Sequence, residues 1–164
     1  MFDISVTNMG IFYFPDPTRG AREIYRTLKP SERAAVTTWK SSGIAPVFYA
    51  VQEAIQPATP IMGNPLDKWE HKATLENTLQ EGGFTDIKIE EVEAKYVWKD
   101  PQRFQAGLMD NIGLILGSVW SDQEKNRMPS ALQKVLDEQP NLSFVDEDGS
   151  RALKMVAWIA IAKK

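Results

Sequence analysis

The sequence predicts an α/β fold built on a mainly parallel sheet. Three observations carry that expectation. Apolar strand segments alternate with helical segments, in the order strand, helix, strand, helix, helix, strand, helices, strand. The last segment, Ala152 to Ala162, is apolar in both phases, as an inner strand is. With 43% hydrophobic and 25% charged residues over 164 positions, the chain has globular proportions and the length of about one domain.

Asp3 to Thr7 alternates polar residues with Ile4 and Val6 and reads as a strand. Asn8-Met9-Gly10 follows as a turn, then the apolar run Ile11 to Phe14. Asp16 is placed to cap a helix whose first position is Pro17. Ala21, Ile24, Tyr25 and Leu28 share one face of that helix, which Lys29-Pro30 ends. Ala34 to Trp39 lacks polar alternation, which predicts a strand covered on both faces. Pro46 to Ile55 has helical spacing, and the proline-rich stretch from Gln56 to Pro65 is loop. Lys72 to Gln80 reads as a helix stopped by Gly82-Gly83.

Asp86 to Trp98 is a long strand whose apolar phase slips at Glu90-Glu91, which predicts a bulge or bend there. Pro101 to Val119 is a helix with Phe104, Leu108 and Ile112 on one face. A further helix is expected from Pro129 to Glu138, with proline in its first turn. Asn141 to Ser150 is a polar turn region.

Composition excludes several chemistries. Nineteen Lys and Arg against 22 Asp and Glu give a formal charge of −3, which argues against a nucleic-acid partner. The absence of cysteine removes disulfides and thiolate chemistry, and the single histidine, His71, excludes a multi-histidine zinc site. The acidic residues Glu90, Glu91 and Glu93, and Asp146 to Asp148, match no calcium-loop spacing, so no metal is expected. The longest apolar run, Met155 to Ala162, is far below the ~20 residues of a membrane span. With no basic-then-apolar leader at Met1-Phe2-Asp3-Ile4, a cytoplasmic location is the default expectation.

Several segments carry a resemblance. Phe2-Asp3-Ile4 through Gly10, then Glu23-Ile24-Tyr25-Arg26-Thr27-Leu28-Lys29-Pro30, then Thr37-Thr38-Trp39 resemble the second half of a class I, Rossmann-like, S-adenosylmethionine-dependent methyltransferase. They correspond to that family's fourth strand, following helix and fifth strand. Gly82-Gly83-Phe84-Thr85-Asp86-Ile87 is similar to the entry into its sixth strand, and Met155 to Ala162 to its antiparallel seventh. The small-molecule branch is most similar, of the ubiquinone and menaquinone biosynthesis type with its fungal secondary-metabolite relatives. The resemblance implies a partial Rossmann-like methyltransferase sheet, strands four to seven, with helices on its faces and a helical lid. Residues 1–164 would form a single domain, with 41–70 and 99–150 as lid or acceptor-side insertions.

Two departures stand out. The family's glycine turn after Leu-Lys-Pro is here Ser31-Glu32. The glycine-rich cofactor turn and the ribose-binding acid belong to strands that precede the matched part, and no Gly-x-Gly occurs in the 164 residues.

The resemblance places Asn8, Met9 and Gly10 beside the cofactor, S-adenosylmethionine; without it they read as an ordinary turn. Tyr13, Trp39, Phe48, Tyr49 and Met109 are the acceptor-side candidates, with Met62, Trp69 and Trp120 in the same group. Each is equally a core residue by composition alone. His71 precedes a helix, a capping or surface place, and no catalytic residue is assigned.

Two functions remain open. One is methyl transfer to a small-molecule acceptor. The other is a non-catalytic relative or partner subunit acting through protein–protein association. Weak or absent cofactor binding is expected for this chain alone. Asp3 to Thr7 would present an unpaired edge, so a homo-oligomer or a complementing polypeptide is expected there. The same loss would uncover Ile4, Val6 and the helix face of Ile24 and Leu28. Trp158, in a strand apolar on both faces, is expected to be buried.

Overall fold

The computed structural model describes residues 1–57, 59, 67–116, 120–145 and 148–164. The strands are β1 (Phe2–Asn8), β2 (Leu28–Ser42), β3 (Asp86–Trp98), β4 (Phe144–Val145) and β5 (Arg151–Lys163). The helices are α1 (Pro17–Thr27), α2 (Ile44–Ile55), α3 (Lys72–Glu81), α4 (Pro101–Leu116) and α5 (Asp122–Glu138). The strand order is β1-β2-β5-β3, with β4 pairing β5. β1 and β2 are parallel, with Ser5 opposite Ala34 and Asn8 opposite Thr37. Ser31 donates its amide to the Lys164 carbonyl near one end of β2, and Gly43 to the Lys154 carbonyl past the other. β5 therefore runs antiparallel to β2, as expected for the last strand.

The chain divides into two compact units. The first comprises residues 1–41, 63–94 and 155–164, and the second 42–62 and 95–154.

In the first unit, α1 starts where Asp16 accepts the Arg19 amide at 2.9 Å, with Pro17 at the first position. α3 ends at Gly82-Gly83. Gly83 has φ +109°, and the Phe84 amide reaches back to the Leu79 carbonyl at 3.1 Å. A Cβ on Gly82 would lie 2.6 Å from the Ala21 Cβ, so this glycine allows α1 and the end of α3 to approach. The core joins Leu28, Ala34, Val36, Leu75, Leu79 and Ala160 on one sheet face.

That one-sidedness corrects two expectations. β2 is not covered on both faces: Ala34, Val36 and Thr38 are buried, while Ala35, Thr37 and Trp39 are only half-buried. Leu28 is fully buried rather than uncovered, because it packs into the α1–α3 side of the sheet; Ile24 is half-buried against the same core. Ile4 and Val6 are 68% and 67% exposed, as expected.

The Leu28-to-Glu32 stretch is a bulge in β2, not a turn before it. Phe2 pairs with Leu28 but Ile4 with Arg33, so five steps along β2 match two along β1. Ser31 takes the left-handed conformation, φ +68°, at the position where the family carries glycine. Lys164 secures the bulge. Its amide bonds the Glu32 carbonyl at 2.8 Å, and its ammonium bonds the Leu28 carbonyl at 2.8 Å and the Arg26 carbonyl at 3.3 Å. The ammonium thus sits among the last carbonyls of α1, where a cation is favoured. Lys29 also ties the bulge to β1 through Asp3 at 2.6 Å. That bond holds the Asp3 carboxyl below its ordinary range and raises the Lys29 ammonium.

In the second unit α5 packs against α2 and α4. α5 starts at Asp122, seven residues before the expected Pro129. Ser121 and Glu124 form a capping box, and Pro129 lies inside the helix. The Ser121 hydroxyl, with the Ser121 amide, holds the Glu124 carboxyl below its usual range. Arg127 donates to the Ile55 carbonyl at 3.3 Å and satisfies the end of α2. α4 begins at Pro101 as expected, and residues 117–119 lie outside the described residues. β3 is one continuous strand; after Ile89, residues 90–97 are exposed on both faces, where the sequence phase slips.

An L-residue in the left-handed region costs roughly 1–2 kcal/mol, partly offset by glycine's larger unfolded-state entropy of about 0.5–1 kcal/mol. Ser31→Gly is therefore expected to stabilise the chain by about 0.5–1 kcal/mol, read as a raised urea midpoint. A lowered midpoint would show that the Ser31 side chain itself holds the bulge.

Candidate functional site

The carboxyl ends of parallel strands are where ligands bind in open α/β sheets. Here β1 and β2 bring Asn8, Met9 and Thr37 together. The register puts Thr37 opposite Asn8. The Thr37 hydroxyl donates to Asn8 Oδ1 at 2.7 Å and accepts the Met9 amide at 2.9 Å. Met9 has φ +49°, an uncommon conformation for a non-glycine residue. The Thr37 clamp is what holds it there. Sequence reasoning missed Thr37; its signal was the strand register, which sets it across from Asn8.

Gly10 begins the short turn at Ile11–Tyr13, and its carbonyl accepts the Tyr13 amide at 3.1 Å. A Cβ at Gly10 would meet only ordinary contacts, 3.5 Å or more away, so packing does not demand glycine there. Ile11 and Phe12 anchor this turn in the core, and Phe12 lies 6.2 Å from the Trp69 ring. Tyr13 is 75% exposed, with its ring 4.5 Å from that of Phe12. Trp39 is half-buried against the same core.

The remaining aromatic candidates are placed differently. Trp69 is sealed in the first unit's core, with its indole nitrogen unpartnered among the described residues. Phe48, 6% exposed, and Trp120 are buried in the second unit. Tyr49 stacks edge-on to Phe48 at 5.4 Å, and Met109 is half-buried on α4. Met62 lies outside the described residues.

Trp158 is half-buried rather than buried. Its indole N–H reaches the Glu70 carbonyl at 3.1 Å, and the Lys40 ammonium sits 5.0 Å from the ring. An indole with a polar partner at the margin of the core keeps part of its ring in water. Lys40 is also paired with Glu91 at 2.5 Å.

Among the described residues, groups able to move protons or hold metal are not gathered at this rim. His71 is exposed at the start of α3, where its carbonyl accepts the Thr74 amide. Asp148 accepts from the Ser150 amide and hydroxyl in a local turn; Asp146 and Glu147 are outside the described residues. Among the described residues no cluster of metal-ligating side chains occurs. No helix among them is long and apolar enough to cross a membrane.

A sheet with a parallel pair at one end, an antiparallel last strand inserted toward its centre, and flanking helices is the fold of the class I, Rossmann-like methyltransferases. Solved structures share it, two of them bacterial. One is a candidate methyltransferase from Bacillus halodurans, with TM-score 0.51 and 16% identity; the match covers 99% of this chain and 64% of that one. The other is the YcgJ protein of Bacillus subtilis, with TM-score 0.51 and 12% identity over the same shares. In sequence the chain is similar to methyltransferase ktnA of Aspergillus niger, 25% identical over 172 residues, covering 98% of this chain and 55% of that protein. No family model matches the chain. The chain thus spans 55% to 64% of the length of these relatives.

Thr37→Val removes the acceptor of the Met9 amide and the donor to Asn8 together. Asn8 is exposed and water can replace its bond, but the partly buried Met9 amide loses its acceptor, which costs about 1 kcal/mol. The expected result is a thermal midpoint lowered by several degrees and a Met9 amide that exchanges faster with solvent. An unchanged Met9 exchange rate would show that the turn holds itself without Thr37.

Proposed function

We propose that the chain serves S-adenosylmethionine-dependent methyl transfer to a small-molecule acceptor. The observation that carries this reading is the similarity to methyltransferase ktnA along 98% of the chain, in a fold shared with methyltransferase-like structures. The cofactor supplies an electrophilic methyl group. Such transfer depends on alignment and exclusion of water, and needs no protein nucleophile. A rim with few titratable groups suits that chemistry.

The residues fit the cofactor only in part. Asn8, Met9 and Gly10 form one flank at the strand ends, but the Met9 amide and the Asn8 oxygen are already bonded to Thr37. No Gly-x-Gly turn occurs in the sequence to let backbone approach the cofactor closely. No step is therefore assigned to this chain's residues alone. Tyr13 and Trp39, in the first unit, are the proposed acceptor-side residues. The exposed Ile4 and Val6 favour a second reading beside the first, in which the chain acts as a partner subunit through association.

Calorimetry with the chain alone is expected to show no isotherm for S-adenosylmethionine at micromolar concentration. Nuclear magnetic resonance with millimolar cofactor is expected to shift the Asn8, Met9, Gly10 and Tyr13 amides. A micromolar isotherm would contradict the partial fit. Unperturbed amides at that turn would remove the methyl-transfer reading.

A further inference from the structure

Thr37 decides which end of the Asn8 amide is left for a ligand. The Met9 N–H already takes one lone pair of the Thr37 hydroxyl, at 2.9 Å. The hydroxyl hydrogen then needs an acceptor, and Asn8 Oδ1 supplies it at 2.7 Å. With the amide turned the other way, Asn8 Nδ2 would donate to the hydroxyl, and the hydroxyl hydrogen would lose that acceptor. The hydrogen-bond count therefore fixes the amide with its oxygen toward Thr37 and its nitrogen away. The pair is also held by the sheet, since the parallel register sets Asn8 opposite Thr37.

Thr37 is half-buried and Asn8 is exposed, so the far end of the amide reaches water. Among the described residues Asn8 Nδ2 has no hydrogen-bond partner. Two uncharged N–H donors thus stand at the carboxyl end of β1, where ligands bind in open α/β sheets. A free asparagine offers an acceptor or a donor by turning its amide. This one has lost that choice.

We propose that Thr37 is a positioning residue that makes Asn8 a donor-only contact, and that the ligand group facing Asn8 is an oxygen that only accepts: a carbonyl, a carboxylate or a deprotonated hydroxyl. The proposal rests on the methyl-transfer reading for the place of the ligand, and on the hydrogen-bond count for its polarity. A group that only donates, such as an ammonium, meets two N–H groups and is rejected. A fixed dipole of this kind holds an oxygen without reorganising and without exchanging a proton with it. The same oxygen chemistry has two sources in methyl transfer. One is the carboxylate of the cofactor's amino-acid portion, and the other is an oxygen of the small-molecule acceptor.

Nuclear magnetic resonance of the isotope-labelled full chain tests this through the Asn8 side-chain NH2 signals. The probes, at millimolar concentration, are S-adenosylmethionine, methylthioadenosine (which lacks the amino-acid portion), para-nitrophenolate and benzylammonium. The NH2 signals are expected to move with S-adenosylmethionine or para-nitrophenolate and to stay unmoved with benzylammonium. A response to S-adenosylmethionine that methylthioadenosine does not reproduce assigns the cofactor carboxylate. A response to para-nitrophenolate, with the side chain unmoved by S-adenosylmethionine, assigns the acceptor oxygen. Asn8→Asp keeps an acceptor for Thr37 but turns an oxygen outward. It is expected to leave the thermal midpoint nearly unchanged and to weaken the responding probe by roughly tenfold or more. Thr37→Val frees the amide to turn, so discrimination against benzylammonium is expected to shrink, and Thr37→Ser is expected to restore it. Three results would overturn the proposal: NH2 signals unmoved by both oxygen probes, an equal response to methylthioadenosine or benzylammonium, or an Asn8→Asp chain that binds the responding probe as tightly as before. Backbone shifts from Asn8 to Gly10 with an unmoved Asn8 side chain would remove this proposal and leave the methyl-transfer reading standing. A side chain that responds to para-nitrophenolate while S-adenosylmethionine moves no amide of the turn would keep the donor and remove that reading.

Discussion

The contact of Leu28, Ala34 and Val36 with Leu75 and Leu79 is the one on which the rest of the first unit depends. These residues are almost wholly removed from water. Each buried Leu or Val side chain contributes about 1.5–3 kcal/mol, and Ala34, Ala160 and Ala162 are small enough to let the helices lie close to the sheet. Gly82 against Ala21 does the same where α3 ends beside α1. With β2 held in this way, its register with β1 is fixed, and Asn8 comes to lie opposite Thr37. The strained Met9 turn at the rim is thus a consequence of burial on the far side of the sheet.

The same constraint explains what the sequence made legible and what it did not. Asp16-Pro17 and Gly82-Gly83 act locally, through capping and a left-handed glycine, so both helix ends could be read directly. The bulge at Lys29 to Glu32 could not, because it is held by Lys164, more than 130 residues away. Pro129 misled for a related reason. Proline favours a first turn, but the Ser121–Glu124 capping box had already started α5 upstream. Apolar β2 looked like a strand covered twice. Its second face is half-open because apolar content does not say whether a covering layer is present.

At the site, Asn8 to Gly10 was legible from its place at the end of a strand, and Thr37 was not, since cross-strand partners depend on register. Trp39 and Tyr13 stay near the rim, whereas Phe48, Trp69 and Trp120 are drawn into cores. Composition alone could not separate these outcomes: an aromatic ring suits a pocket and a core equally. The structure resolves them by burial.

The central claim is that, among the described residues, the first unit's sheet is packed on one face and exposed on the other. Residue-resolved amide hydrogen exchange on the dilute chain tests it most directly. The account predicts slow exchange along β2 and β5, whose neighbours lie on both sides, and alternate β1 amides exchanging close to the unprotected rate. β1 amides protected uniformly, to the level of β5, would contradict it.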